Sequence, residues 1–363
     1  MNKEYISKLI SFMRFPMIVG IVMIHAKLAN ITFKGVNVLD QGNYDVFLYV
    51  STFISHIVCN LFVPLYFIIS GYLYFANVKE YSMETYAYKT KRRFRSLVVP
   101  YIIWNLYSLI LFVLLGFIAS GFLSGSHKPI TDYSLLDFLY AFWNTSLINS
   151  SDLPMPINGP LWFIRNLIVV QIVFAPAIYY VVKKLKIIPV LILGLLWLFE
   201  FDTHIVGFSV GDLFFFTLGA YTSLYMNTYH RLNRLTPPLQ TITVCTYLAT
   251  CIILMYSREE ILLNVNILLG IVVAIIVGSF AMDKGCKIPR TLAESSFFVY
   301  AYHGLVILGL SKVLWKVFRP EDSAGALIIY FLSPIITISL GVLLYVLLKK
   351  LLPRFTKVIV GGR

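Results

Sequence analysis

The chain has 363 residues, 59% of them hydrophobic and only 13% charged, with a mean hydropathy of +0.80; a water-soluble protein of that length cannot hide so much apolar surface. Its formal charge of +13 would suit a nucleic acid, but the basic residues sit between apolar runs rather than in one patch, which points to membrane topology and excludes a nucleic-acid partner. The four cysteines, Cys59, Cys245, Cys251 and Cys286, form no CxxC pair, so neither a disulfide framework nor a zinc site is expected.

Apolar runs that can cross a bilayer as helices fall at about residues 12–31, 52–75, 97–119, 161–182, 187–200, 207–227, 237–256, 261–281, 295–317 and 326–348. The fold class expected is all-α: a polytopic transmembrane helix bundle of about ten spans, because only helices satisfy every backbone polar group within one lipid-exposed segment. The first run is followed by a second rather than by a cleavage site and a polar domain, so it reads as a retained span. The fifth, about 14 residues long, is short enough to be tilted, re-entrant or shielded. With the N-terminus inside, 22 of the 30 lysines and arginines fall on the cytosolic side, which predicts both termini cytosolic. One transmembrane domain, 1–348, is expected, with a short basic cytosolic tail over 349–363. The two sizeable loops on the other side cover about 32–50 and 120–160.

Polar residues inside spans are costly and therefore candidates for function. His25 lies eleven residues after Arg14, about 16 Å along a helix and three turns on, so both share a face and His25 sits near mid-membrane if Arg14 marks the cytosolic surface. A buried imidazole stays neutral, the form a general base needs; the plainer alternative is a histidine bonded to a neighbouring helix for packing. The loop Lys89-Thr90-Lys91-Arg92-Arg93-Phe94-Arg95 anchors the third span against anionic lipid, and its guanidinium groups also suit the phosphates of coenzyme A. Asn158-Gly159-Pro160-Leu161-Trp162-Phe163-Ile164-Arg165 reads as an exposed turn opening the fourth span. Trp162 fits an interfacial anchor; Arg165, on the non-cytosolic side, fits one poorly unless it lines a wet cavity or meets a carboxylate. In the ninth span His303 comes at a depth close to that of His25, with Tyr300 one turn away and Tyr302 beside it. Asp212 can be a counter-charge to Arg165 or Arg14. His56, His127, His204 and His230 lie at span ends or in loops and are not expected to be catalytic.

Taken together, these segments resemble the membrane-bound acyltransferase-3 family. The resemblance rests on Arg14 and His25 at their spacing, on Val63-Pro64-Leu65-Tyr66-Phe67-Ile68-Ile69-Ser70-Gly71-Tyr72-Leu73, and on Arg93-Phe94-Arg95 before Pro100-Tyr101. It extends through Gly159-Pro160-Leu161-Trp162-Phe163, Phe214-Phe215-Phe216-Thr217-Leu218-Gly219-Ala220 and Phe297-Phe298-Val299-Tyr300-Ala301-Tyr302-His303. What it implies is an O-acyltransferase that carries an acyl group, most often acetyl, from cytosolic acetyl-CoA or another acyl-CoA to a sugar hydroxyl across the membrane. No metal is required. His25 then becomes the central residue, as base or transient acyl carrier, with Arg14 orienting or charge-stabilising the site. Lys91, Arg92, Arg93 and Arg95 hold the coenzyme A phosphates, Ser70 belongs to a close helix approach beside the pore, and Trp162, Arg165, Asp212, Tyr300, Tyr302 and His303 line a cavity. The expected partners are acyl-CoA, a cell-surface or lipid-linked glycan, membrane lipids and a second copy of the chain, in a bacterial inner or plasma membrane. The chain is expected to be a stand-alone member, without the esterase-like domain of lipopolysaccharide-modifying relatives, whose fourth-span motif commonly has a Glu where this chain has Arg165. A transporter or flippase for a polar molecule is the alternative, and a membrane scaffold a third. Repeated halves or broken helices would favour transport, and binding of acyl-CoA would favour the enzyme.

Overall fold

Residues 3–28, 31–33, 36–78, 80–118, 128, 132–149, 153–225, 236–257 and 259–362 are described by a computed structural model of the chain. Lys79, His127, His230, Arg231, Arg234 and Arg363, each used in the sequence argument, lie outside the described residues.

Helix α1 (Lys3–Ile24) stops at Ile24 rather than continuing to about residue 31. Its ladder tightens into i to i−3 bonds from His25 N to Val22 O (3.1 Å) and from Ala26 N to Met23 O (3.2 Å), as helix ends do. Leu28 and Ile31 beyond it are fully buried, so this irregular stretch is shielded by protein, the condition for non-helical backbone at membrane depth. Strands β1 (Thr32–Phe33) and β2 (Val36–Asn37) form a small antiparallel pair, Thr32 opposite Asn37. Next come α2 (Asp45–Ser51), α3 (Phe62–Phe75), α4 (Met83–Arg93), α5 (Val99–Ile118) and α6 (Leu135–Ala141). They are followed by α7 (Trp162–Val169), α8 (Ala175–Leu185), α9 (Ile188–Leu198) and α10 (Val210–Tyr225). The chain then continues through α11 (Pro237–Ser257), α12 (Glu260–Asp283), α13 (Arg290–Phe318), α14 (Ser323–Leu351) and α15 (Pro353–Ile359).

Three joints between consecutive helices are π-helical, over Thr52–Val58, Phe94–Val98 and Val170–Phe174, and each precedes a proline: Pro64, Pro100 and Pro176. At Pro100 and Pro176 the missing N–H and the crowding of the carbonyl four residues back, inside the π segment, widen the ladder without ending the helix. Pro64 instead acts on Asn60, in the 3-10 turn Cys59–Leu61 that follows the first π segment. The carbonyl that Pro176 leaves free, that of Ile172, accepts the Tyr86 hydroxyl at 3.1 Å. The basic segment expected as a loop, Lys89 to Arg95, is thus helical and runs directly into α5. No Gly or Pro interrupts it, and lysine and arginine are good helix formers.

Among the described residues eight helical stretches are long and apolar enough to cross a bilayer, while α9 (11 residues) and α10 (16 residues) stand at the places of the expected fifth and sixth spans. The protein is a polytopic helix bundle. Its exposed apolar stripes match a lipid solvent: Ile102, Leu106, Ile110 and Leu114 recur every four residues along one face of α5.

The chain folds as two compact sets of residues, interleaved in sequence. The first comprises Met1–Ile21, Thr52–Arg93 and Asn166–Ala293. Its tightest pairing is α3 on α10, where a Cβ at Gly71 would strike the Phe216 carbonyl and one at Gly219 the Ile68 carbonyl. Lipid offers no hydrophobic drive for helices to associate, so such close backbone approach supplies the packing energy. In the same set Asn266 Nδ2 on α12 donates to Thr250 Oγ1 on α11 at 2.8 Å.

The second set comprises Val22–Ser51, Phe94–Arg165 and Glu294–Arg363. Here Trp104 of α5 meets Phe298 of α13 edge-on at 5.2 Å, and Gly341 lets α14 lie against Val299 and Tyr302. Lys349 pairs with Glu294 at 2.5 Å. The end of the segment expected as an outer loop folds inward. Asn158 N donates to Asn105 Oδ1 on α5 at 3.1 Å and Asn158 Nδ2 to the Ala301 carbonyl on α13 at 3.1 Å. Gly304, against which Pro160 packs, is the midpoint of the 29-residue α13, so this segment reaches roughly 20 Å inward from either helix end. Meanwhile α6 turns Leu135, Leu136 and Leu139 outward and buries Asp137, an arrangement that suits lipid rather than water.

Candidate functional site

Within the second set the end of α1 meets the middle of α13. His25 stands on the turn that closes α1, and its ring centroid lies 5.1 Å from that of His303, with the planes tilted by 55°. His303 is fully buried. Its Nδ1 lies 2.5 Å from the Tyr300 carbonyl oxygen, and a carbonyl can only accept, so in the neutral ring Nδ1 carries the hydrogen and Nε2 keeps its lone pair. That Nε2 is buried and has no hydrogen-bond partner among the described residues.

The Tyr300 ring is 5.9 Å from His303, and its hydroxyl donates to the Pro160 carbonyl, which fastens the Gly159–Leu161 turn to α13. Gly304 permits that contact: a Cβ there would come within 2.5 Å of Pro160 Cγ and 3.2 Å of Asn158 Oδ1. Trp162, half-buried, opens α7 from the same turn. Tyr302 is buried and stacks on Phe298 at 6.0 Å, on the side of α13 that faces Gly341. The structure therefore brings His25, His303 and Tyr300 together and sends Tyr302 into helix packing.

Arg165 is buried and spends hydrogen bonds on main-chain oxygens, donating through Nη1 to Trp143 O (2.5 Å) and Pro154 O (3.1 Å), with its guanidinium 5.5 Å over the Trp143 ring. Tyr101 of α5 donates to Phe142 O. These donors explain one another: irregular backbone at membrane depth must find its partners inside the protein, and Arg165, Tyr101, Asn105 and Asn158 supply them. Sequence reasoning missed Asn105 and named Asn158 only as the start of a turn. The signal was available for Asn105, a lone amide in an apolar span and costly there for the same reason as His25.

In the first set Asp212 is buried and accepts from Asn166 Nδ2 (2.7 Å) and Ser209 N (2.8 Å). Arg14 is half-buried on α1, and its carbonyl accepts the Tyr66 hydroxyl at 2.9 Å. Ser70 precedes Gly71 at the α3–α10 approach. On the basic helix Lys91 and Arg92 are exposed, as is Arg95 beyond its end, whereas Arg93 is half-buried with its guanidinium 5.5 Å over the Tyr74 ring. Lys89 is committed to the end of α3, where its Nζ donates to the Tyr74 carbonyl at 2.5 Å, a favourable place for a cation. His56 and His204 are exposed.

A buried imidazole with a defined lone pair, beside a second imidazole, can take a proton from a hydroxyl and return it to a leaving group. The comparisons with known proteins fit that capacity. A sequence model of the acyltransferase-3 family, described as an acyltransferase domain, matches residues 9–346. The succinoglycan biosynthesis protein ExoH of Rhizobium meliloti (strain 1021) is 24% identical over 373 aligned positions, covering 99% of this chain and 93% of ExoH. No solved structure matches the chain. Since the match takes in α1, α13 and nearly everything between, the chain belongs to the acyltransferase-3 family and is a multi-pass membrane acyltransferase.

Proposed function

We propose that the protein transfers an acyl group, acetyl in the first instance, from cytosolic acyl-CoA to a hydroxyl of a cell-surface or lipid-linked glycan, with His25 as the central residue. The observation that carries this reading is the pair His25–His303, 5.1 Å apart, with His303 fully buried and His25 half-buried, set where helix backbone gives way to the irregular segment after Ile24. In the proposed reaction the acceptor oxygen attacks the thioester carbonyl while His25 takes the hydroxyl proton. The carbon–sulfur bond then breaks, and the imidazolium returns the proton to the coenzyme A thiolate. A transient acyl-His25 is the other route to the same products. Arg14, about 16 Å along α1 from His25, is assigned to orienting or charge-stabilising the site, as the family resemblance implies. Lys91, Arg92, Arg93 and Arg95 are assigned to the coenzyme A phosphates; three of these side chains are exposed and free to reach a ligand. The relative's name, a succinoglycan biosynthesis protein, points the acceptor towards a glycan. The distribution of basic residues supports cytosolic termini in a bacterial inner or plasma membrane.

The test is consumption of the acetyl-CoA thioester by protein reconstituted in lipid, with and without a surface-glycan extract. Wild type should turn over only with the glycan, and His25→Ala should lose at least about a hundredfold, as expected for removal of a general base. Arg93→Ala with Arg95→Ala should weaken acetyl-CoA binding. Turnover that survives His25→Ala would overturn the role of His25, and failure to bind acetyl-CoA would overturn the donor.

A further inference from the structure

We infer that α15, the helix following the last long span, is an interfacial element that binds anionic phospholipid from the surrounding bilayer. The chain leaves α14 at Leu352, whose φ of −133° and ψ of 61° interrupt the helix, and Pro353 starts the next one. The surface of α15 then divides into three sectors. Thr356, Ile359 and the following Val360 are buried and dock the helix, held by Trp104 Nε1 donating to the Ile359 carbonyl at 3.0 Å. Gly361 completes the docking: at φ +74°, with its N–H on Val358 O, it lies so close to the Ser96 carbonyl that any Cβ would collide. Arg354 and Lys357, three residues apart, form an exposed basic sector. Phe355 and Val358, 47% and 45% exposed, form an apolar sector between the basic and docked ones. A water-facing helix has no use for the third sector, and a lipid-buried one cannot afford the second. A helix lying in the membrane plane uses both, with rings and methyls among acyl chains and cations at headgroup level. Positive charge selects anionic headgroups. Lys349 is not part of the sector, being paired with Glu294.

The experiment takes the full-length protein in zwitterionic detergent and counts bound lipid by native mass spectrometry, comparing phosphatidylglycerol with phosphatidylcholine. Wild type should retain phosphatidylglycerol preferentially, and added salt should erode that preference. Arg354→Gln with Lys357→Gln should cut phosphatidylglycerol affinity by roughly tenfold to thirtyfold, at about 1 kcal/mol per basic residue near a charged surface. Phe355→Ser with Val358→Ser should weaken both lipids, and glycerol phosphate, lacking acyl chains, should not compete. Equal retention of the two lipids by wild type, a preference that persists in the double glutamine variant, or effective competition by glycerol phosphate would each overturn the assignment. If the double variants fail to purify, the single substitutions Arg354→Gln and Lys357→Gln decide the matter, each expected to lose about fivefold in phosphatidylglycerol affinity, and no loss in either overturns the assignment.

Discussion

Arg165 is an interior cation whose hydrogen bonds go to the carbonyl oxygens of Trp143 and Pro154, and this predicts how its replacements behave. Methionine keeps the apolar stem but orphans both oxygens, at a cost of about 1–3 kcal/mol each if water cannot replace the guanidinium. Lysine keeps the charge but not the planar fork, and recovers only part of the loss. Thermal unfolding in detergent should rank wild type above Arg165→Lys and Arg165→Met lowest. Proteolysis within 143–154 should rise in the same order, and an unchanged midpoint for Arg165→Met would show that the clamp carries no weight. The sequence marked Arg165 as misplaced for an anchor and offered Asp212 as a counter-charge; the main-chain oxygens that Arg165 meets leave no trace in residue identity. The two histidines were legible as residues at one depth; that α1 stops at Ile24, just before His25, is what an unbroken apolar run conceals.

The start of α6 shows how an element's edge responds to solution conditions. Ser134 and Asp137 form a capping box, Ser134 Oγ accepting from Asp137 N at 3.2 Å and Asp137 Oδ2 accepting from Ser134 N at 2.7 Å. The same carboxylate oxygen takes Lys128 Nζ at 2.8 Å. Hydrogen bonds from Lys128 and Ser134 hold Asp137 down at about 2, below the ordinary aspartate value of 3.8. A depressed acid stabilises the fold above its unfolded value and stops doing so as pH falls through the folded one, so the cap should be intact down to about pH 4 and fail towards pH 2. Hydrogen exchange at the first amides of α6, corrected for intrinsic rate, should rise over that window in wild type. It should already be high at neutral pH in Asp137→Ala, and a wild-type profile flat to pH 2 would refute the cap's role. The capping box is plain in sequence as Ser-x-x-Asp, yet the polar composition around it led to an outer loop. What that composition does not reveal is the outward turn of Leu135, Leu136 and Leu139, a property of which face is covered rather than of which residues are present.

At the scale of the molecule, the proposed transfer from a donor on one side to an acceptor on the other requires a fixed orientation, and the basic residues supply the expectation that both termini are cytosolic. The apolar runs were legible because lipid leaves the chain few alternatives; α9 was legible as short, whereas the run expected over about 207–227 forms α10 over Val210–Tyr225. A native reporter of orientation exists in Cys286, exposed in the short connection between α12 and α13 and flanked by Lys284 and Lys287. Cys59 and Cys251 are buried, and Cys245 is exposed only within the apolar helix α11, where an ionic reagent cannot follow. A membrane-impermeant maleimide should therefore leave the protein unlabelled in intact cells and label it once in inside-out vesicles, with Cys286→Ser removing the signal. Labelling in intact cells that Cys286→Ser abolishes would place this connection outside. The basic helix α4–α5 would then face the acceptor compartment, and cytosolic acyl-CoA could not be the donor held there.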